Sequence, residues 1–141
     1  MTLSQDADSL ARAVNVLLNR YLVRGADGQA RPWPYNPVDY GVLRYLGARP
    51  DARATDIGAH VGTPATTMQS ALDRLTAAGL LEKRRHPDDG RARAYRLSPR
   101  GQDVLARIET QDRANMAEML QGFTAAERND LVRLLERIAL G

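Results

Sequence analysis

Residues 63–101 read TPATTMQSALDRLTAAG and then LLEKRRHPDDGRARAYRLSPRG, and this stretch decides the fold. On a helix, Met68, Ala71, Leu72 and Leu75 fall at i, i+3, i+4 and i+7 and form one apolar stripe. The opposite side shows Thr66, Gln69, Ser70 and Asp73, with Thr67 and Arg74 on one flank. That face is polar, yet it carries a single acid and a single base. Gly79 suits the left-handed position that stops a helix. Residues 80–85 and 91–97 then read as two strands, joined by the turn Pro87-Asp88-Asp89-Gly90. A polar helix followed at once by a cationic two-stranded finger suits a protein that reads nucleic acid in adjacent grooves.

Working outward, the 141 residues make one domain, or a domain with an appendage. The 43% hydrophobic content is enough to bury a core and sets the chain apart from disordered sequences. No apolar run approaches the roughly 20 residues that span a bilayer, and no secretory signal is visible at Met1. The chain has no cysteine, which excludes disulfides, thiolate metal sites and thiol redox sensing within it. A cytoplasmic location and no membrane contact are the expectations.

The net charge is only +3, but it is unevenly distributed. Residues 1–50 carry +2, residues 51–100 carry +3 and residues 101–141 carry −2. Within 83–100, the seven bases Lys83, Arg84, Arg85, Arg91, Arg93, Arg96 and Arg100 face two acids. A solvated charge run is the ordinary explanation of such a stretch. Here six of the seven are arginine and they flank a hairpin tip. The planar guanidinium fork suits phosphates and base edges, which favours nucleic acid.

A first helix is expected from residue 4 to about 24, with Leu10, Val14, Leu17, Leu18 and Tyr21 as its stripe and Gly25 as its stop. Packing against a partner and packing in a single-chain core would both produce that stripe. GADGQARPWPY, residues 25–35, is a loop holding Trp33, the only tryptophan. Asn36 as N-cap, Pro37 at N1 and Asp39 at N3 open a second helix with Tyr40, Val42, Leu43 and Leu46. GARPD, residues 47–51, ends it, and a short third helix runs over 55–61 with Ile57 and Val61 inward. Thr63 as cap and Pro64 at N1 then open the helix described first, which completes a helix-turn-helix. Ser98-Pro99 starts a long helix to about residue 121, interrupted by the polar run ETQDRAN at 109–115. Thr124 and Glu127 form a capping box for a last helix striped by Leu131, Leu134, Leu135 and Ile138. Apolar stripes at both termini would be costly if left exposed, so a homodimer that buries them is expected.

At these residues the chain resembles the MarR family of bacterial winged helix-turn-helix regulators. Asp89, Arg91, Leu97 and Ser98 follow that family's D-x-R-x-x-x-x-x-L-[TS] wing pattern, with Gly101 closing it. NPVDYGVLRYL, residues 36–46, is similar to the family's T-P-x-x-F-x-V-L-x-x-L opening, and residues 63–85 to its recognition helix and wing entry. The expected fold is mainly α with a small β-hairpin wing. Residues 36–101 would form the winged helix-turn-helix domain, and 1–35 with 102–141 a helical dimerisation region. The resemblance implies a homodimer with interlocked terminal helices, recognition helices in successive major grooves of a pseudo-palindrome, and wings over the flanking minor grooves. It also implies repression relieved by small aromatic molecules bound between the dimer helices and the reading head. The cysteine-based oxidant response of other members is excluded here.

The residues expected to touch double-stranded DNA are Thr66, Thr67, Gln69, Ser70 and Arg74 on the helix, and Arg84, Arg85, Asp89, Arg91 and Arg93 on the wing. Arg53 is added as a phosphate contact. Gln can pair bidentately with adenine, and Asp73 either accepts from cytosine or restrains Arg74. Arg91 is expected in the minor groove, oriented by Asp89. Of Arg84 and Arg85, one should pair with Asp88 or Asp89 and the other meet phosphate. Tyr21, Trp33, Tyr35, Tyr40, Tyr45, Met116 and Met119 are candidates for an effector pocket, though such a row of side chains serves equally as core. His60 and His86, without cysteine, make a poor metal set, and no cofactor is expected. Neither a nucleophile elbow nor a phosphate loop is present, so enzymatic activity has no motif behind it. The function expected is sequence-specific transcriptional regulation, with a winged helix used for protein docking as the alternative.

Overall fold

In the computed structural model, residues 1–25 and 28–141 are described, and the loop reading of Ala26 and Asp27 lies outside them. The helices are α1 (Leu3–Leu17), α2 (Pro37–Ala48), α3 (Ala54–Val61), α4 (Ala65–Ala77), α5 (Pro99–Leu120) and α6 (Ala125–Leu140). A two-stranded sheet of β1 (Leu81–Arg85) and β2 (Arg93–Leu97) stands between α4 and α5. The fold is mainly α with one hairpin. The chain divides into two compact units, Met1–Gln29 with Gln111–Gly141, and Ala30–Thr110.

The second unit reaches beyond the 36–101 span drawn from sequence, and its core explains why. Tyr40, Leu43, Leu46, Ile57, Met68, Leu72, Leu75 and Tyr95 are all buried together. Trp33 and Tyr35 from the preceding loop pack on that cluster, and Val104, Leu105 and Ile108 from α5 belong to it. Met68, Ala71, Leu72 and Leu75 are buried, as their spacing on α4 requires.

Helix boundaries follow local chemistry. Asn36 Oδ1 accepts from the amides of Val38 and Asp39 at 3.0 and 3.3 Å, and Pro37 starts α2. Thr124 and Glu127 form the reciprocal capping box of α6. Its amide and hydroxyl hydrogen bonds hold the Glu127 carboxyl below the usual range. Two expectations shift. Pro64, extended at ψ 149°, is itself the N-cap of α4, and Thr63 lies in the turn with its amide donating to the Gly58 carbonyl. The expected single helix from 4 to 24 is instead α1 capped by Thr2, followed by a π-helical segment Leu18–Val23. Apolar spacings of four residues fit both windings, so the sequence alone could not separate them. Gly25 ends the segment at φ 74°.

The hairpin pairs Leu81 with Leu97 and Arg85 with Arg93 at its two ends. Ala52 adds an isolated bridge to β2: its amide donates to Tyr95 O at 3.2 Å, and Tyr95 N donates to Ala52 O at 2.9 Å. The base of the hairpin is locked to α5. Ser98 Oγ donates to Gly79 O at 2.6 Å and accepts from Gly101 N at 3.0 Å. A Cβ on Gly101 would overlap the Leu80 carbonyl oxygen, so only glycine allows this approach.

One ion pair ties α2 to α4. The Asp39 carboxylate is 2% exposed, and Arg74 donates to both of its oxygens, at 2.5 and 2.9 Å. Trp33 Nε1 donates to the same carboxylate at 3.0 Å. Arg74 is half exposed, so removing either partner should have unequal effects. Arg74→Ala strands a buried charge and is expected to destabilise by about 2–4 kcal/mol, the buried-pair cost discounted for solvent on the arginine side. Asp39→Asn leaves a guanidinium that can turn to water and should cost about 1–2 kcal/mol. Urea midpoints at constant slope measure the difference, and equal losses would contradict it.

Candidate nucleic-acid interface

The outer face of α4 carries Thr66, Thr67, Gln69, Ser70 and Asp73, all exposed. These side chains project because the four apolar positions of the same helix are sunk into the core. Gln69 is already held: its Nε2 donates to Asp73 Oδ1 at 2.9 Å and to Tyr95 Oη at 3.3 Å. This fixes the amide against the wing strand and leaves Oε1 as its outward group. Asp73 therefore restrains Gln69, not Arg74. Arg74 is restrained instead by Asp39, whose hydrogen bonds raise its pKa further.

The wing divides its cations into two sets. Arg84 on β1 donates to Asp51 Oδ1 through Nε at 3.0 Å and Nη2 at 2.5 Å. Arg96 on β2 donates through Nε to the same oxygen at 3.5 Å. The expected pairing of Arg84 or Arg85 with Asp88 or Asp89 is not what forms, because Asp51 reaches Arg84 from the turn before α3. The Arg84 hydrogen bond, aided by the charges of Arg84 and Arg96 and opposed by partial burial, holds the Asp51 carboxyl below the usual carboxylate range. Arg100 Nη1 donates to Ala78 O and closes the end of α4. Lys83, Arg85, Arg91 and Arg93 are all exposed, and among the described residues no carboxylate pairs with them.

Arg85 and Arg93 stand directly opposite each other in the register. Like charges across a ladder destabilise it, and a polyanion would relieve the repulsion. Arg91, expected on a strand, lies in the tip instead. Its amide donates to Asp89 Oδ1 at 3.0 Å, and Ala92 N donates to Asp89 O at 3.0 Å. Asp89 thus orients the Arg91 backbone, while its other oxygen lies 4.0 Å from Arg53 Nη2. Asp88 N donates to His86 Nδ1 at 3.1 Å, which gives His86 a turn-capping role. His60 packs on the Tyr45 ring at 5.0 Å. A cleft of about 560 Å³ between α4 and the wing is lined by Arg53, Gln69, Lys83 and Arg93 among others.

The aromatic and methionine candidates are divided between the two units. Trp33, Tyr35, Tyr40 and Tyr45 belong to the second unit, where Tyr40 is core and donates from its hydroxyl to Trp33 O at 2.5 Å. Tyr35 meets Tyr40 edge-on at 5.5 Å. Tyr21, Met116 and Met119 belong to the first unit, where Tyr21 is buried and its carbonyl accepts from Asn115 Nδ2 at 2.7 Å. Sequence reasoning missed Asp39 and Asp51 as organising residues. Asp39 looked like an ordinary first-turn acid and Asp51 like part of a loop, and their arginine partners lie far along the chain.

Comparison with known proteins agrees with this geometry. Residues 33–92 match the model of the MarR family. The HTH-type transcriptional repressor Rv2887 of Mycobacterium tuberculosis is 26% identical over 100 residues, spanning 71% of this chain and 72% of that protein. The PcaV transcriptional regulator from Streptomyces coelicolor, solved with its natural ligand, is 27% identical over 99% of this chain and 92% of its own, with a TM-score of 0.68. The transcriptional repressor CouR, solved on a 23-mer DNA duplex, shares the fold at a TM-score of 0.76 and 24% identity, over 99% of this chain and 98% of its own. The match over residues 33–92 and the winged helix-turn-helix make this chain similar to the MarR family of transcriptional regulators.

Proposed function

We propose that the protein is a sequence-specific repressor that binds a pseudo-palindromic operator as a homodimer in the cytoplasm. The observation that carries this reading is the set Lys83, Arg85, Arg91 and Arg93, exposed and, among the described residues, without a carboxylate partner, beside the Thr66, Thr67, Gln69 and Ser70 face. In this reading α4 enters a major groove and Arg91 reaches the neighbouring minor groove, where a narrow groove concentrates negative potential. The helix face is poor in strong base readers, so phosphate contacts and duplex shape contribute much of the affinity. Arg53, 4.0 Å from Asp89, serves as a further phosphate contact at the edge of the cleft. Arg74 and Arg84, already engaged by carboxylates, contribute mainly by holding the reading head together.

Dimerisation is supported by the first unit, which leaves Leu10, Val14, Leu17, Leu134, Leu135 and Ile138 exposed. Water contact on so much apolar surface is costly, and a second copy would remove it. Release by a small aromatic effector is supported by the half-buried Trp33, Tyr35 and Tyr45 and by the ligand-bound PcaV relative.

Four measurements test these readings. Arg91→Ala should weaken operator binding by about 1–3 kcal/mol in a gel-shift titration. The wild-type affinity should fall linearly on a log–log plot against salt, as counterion release demands; a flat response would point to protein docking instead. The wild type should sediment as a dimer at equilibrium and the variant with Leu135 and Ile138 both replaced by aspartate as a monomer; a wild-type monomer would refute the dimer. Titration with salicylate should change Trp33 emission and lower DNA affinity together. Constant emission and affinity would remove that ligand class.

A further inference from the structure

Asp51 stands out because its backbone is left-handed at φ 62°, the one positive-φ non-glycine among the described residues. Aspartate tolerates that region better than most side chains, but glycine would fit without strain. The side chain gained by not being glycine meets Arg84 at 2.5 Å and Arg96 at 3.5 Å, one from each wing strand. The next residue, Ala52, is hydrogen-bonded in both directions to Tyr95 on β2, so the carboxylate is delivered to the wing from a fixed support.

We infer that Asp51 is a specificity-determining clamp that withholds Arg84 and Arg96 from the DNA backbone. A guanidinium free to reach any phosphate raises affinity for all sequences alike and carries no base information. Because Asp51 engages two of the wing's arginines and cancels one of their two charges, the tip cations Arg85, Arg91 and Arg93 supply the wing's contacts at a defined place. Arg84 and Arg96 remain 44% and 35% exposed, so once unclamped they could swing outward to solvent or to phosphate.

This inference rests on the DNA-binding reading above, and the test separates the two. Asp51→Gly keeps the positive φ and deletes the clamp, while Asp51→Asn keeps the shape and removes the charge. Each is titrated against a mixed-sequence duplex, and against the duplex that the wild type selects from a random pool, over a range of salt. Relative to wild type, Asp51→Gly should bind the mixed duplex more tightly, with a salt slope steeper by about 0.9 for each arginine that gains a phosphate. The selected-to-mixed affinity ratio should fall. Asp51→Asn should shift in the same direction by less. Arg84→Ala with Arg96→Ala should leave the wild-type slope unchanged, and added to Asp51→Gly it should abolish the gain. An unchanged or shallower slope in a folded Asp51→Gly protein, checked by circular dichroism, would overturn the clamp. So would a loss of slope when the two arginines are removed from the wild type. If the wild type itself bound no duplex at low salt, the DNA-binding reading would fall first.

Discussion

The buried carboxylate of Asp39 is the constraint on which the reading head depends. It sits in the first turn of α2, almost out of water, and is satisfied by two bonds from Arg74 and one from the Trp33 indole. A charge in that position is tolerable only when its partners are present and well placed. Its geometry therefore holds three things in register: the loop before α2, α2 itself and the last turns of α4. The polar face of α4 is aimed by this anchor as much as by the apolar stripe beneath it.

The wing obeys the same logic with opposite consequence. Counting basic residues from 83 to 100 suggests a uniformly cationic finger, but the structure assigns them different work. Arg84 and Arg96 answer to Asp51, and Arg100 to the end of α4, which leaves Lys83, Arg85, Arg91 and Arg93 without a carboxylate partner among the described residues. The opposition of Arg85 and Arg93 is a local cost that an anionic partner would reduce. Surface arginine pairs of this kind add little to stability, so their importance lies in where they leave charge.

The first unit has a different character. Its buried groups are few, and α1 and α6 present apolar side chains to solvent on stripes that recur every three or four residues. The second unit, by contrast, closes around a continuous core from Tyr40 to Ile108. A reading head complete in itself, attached to helices whose apolar faces lack cover, is the arrangement that supports assembly between copies.

Much of this was legible in the residues themselves. The order of helices, the Asn36 and Thr124 caps, the buried stripe of α4 and the hairpin after Gly79 all rest on interactions within a few positions, which spacing reveals. The polar identity of the Thr66 to Ser70 face was equally plain. Three other features needed the folded chain: the π-helical winding at Leu18–Val23, the placement of Arg91 in the tip, and the partners chosen by Arg74, Arg84, Arg96 and Gln69. Sequence by itself determined which elements form, because helix and strand periodicity is written into neighbours. Only tertiary structure decided which of the wing and α4 arginines are engaged, because the pairs made by Asp39 and Asp51 join positions 33 to 45 residues apart and no local pattern says which carboxylate will arrive.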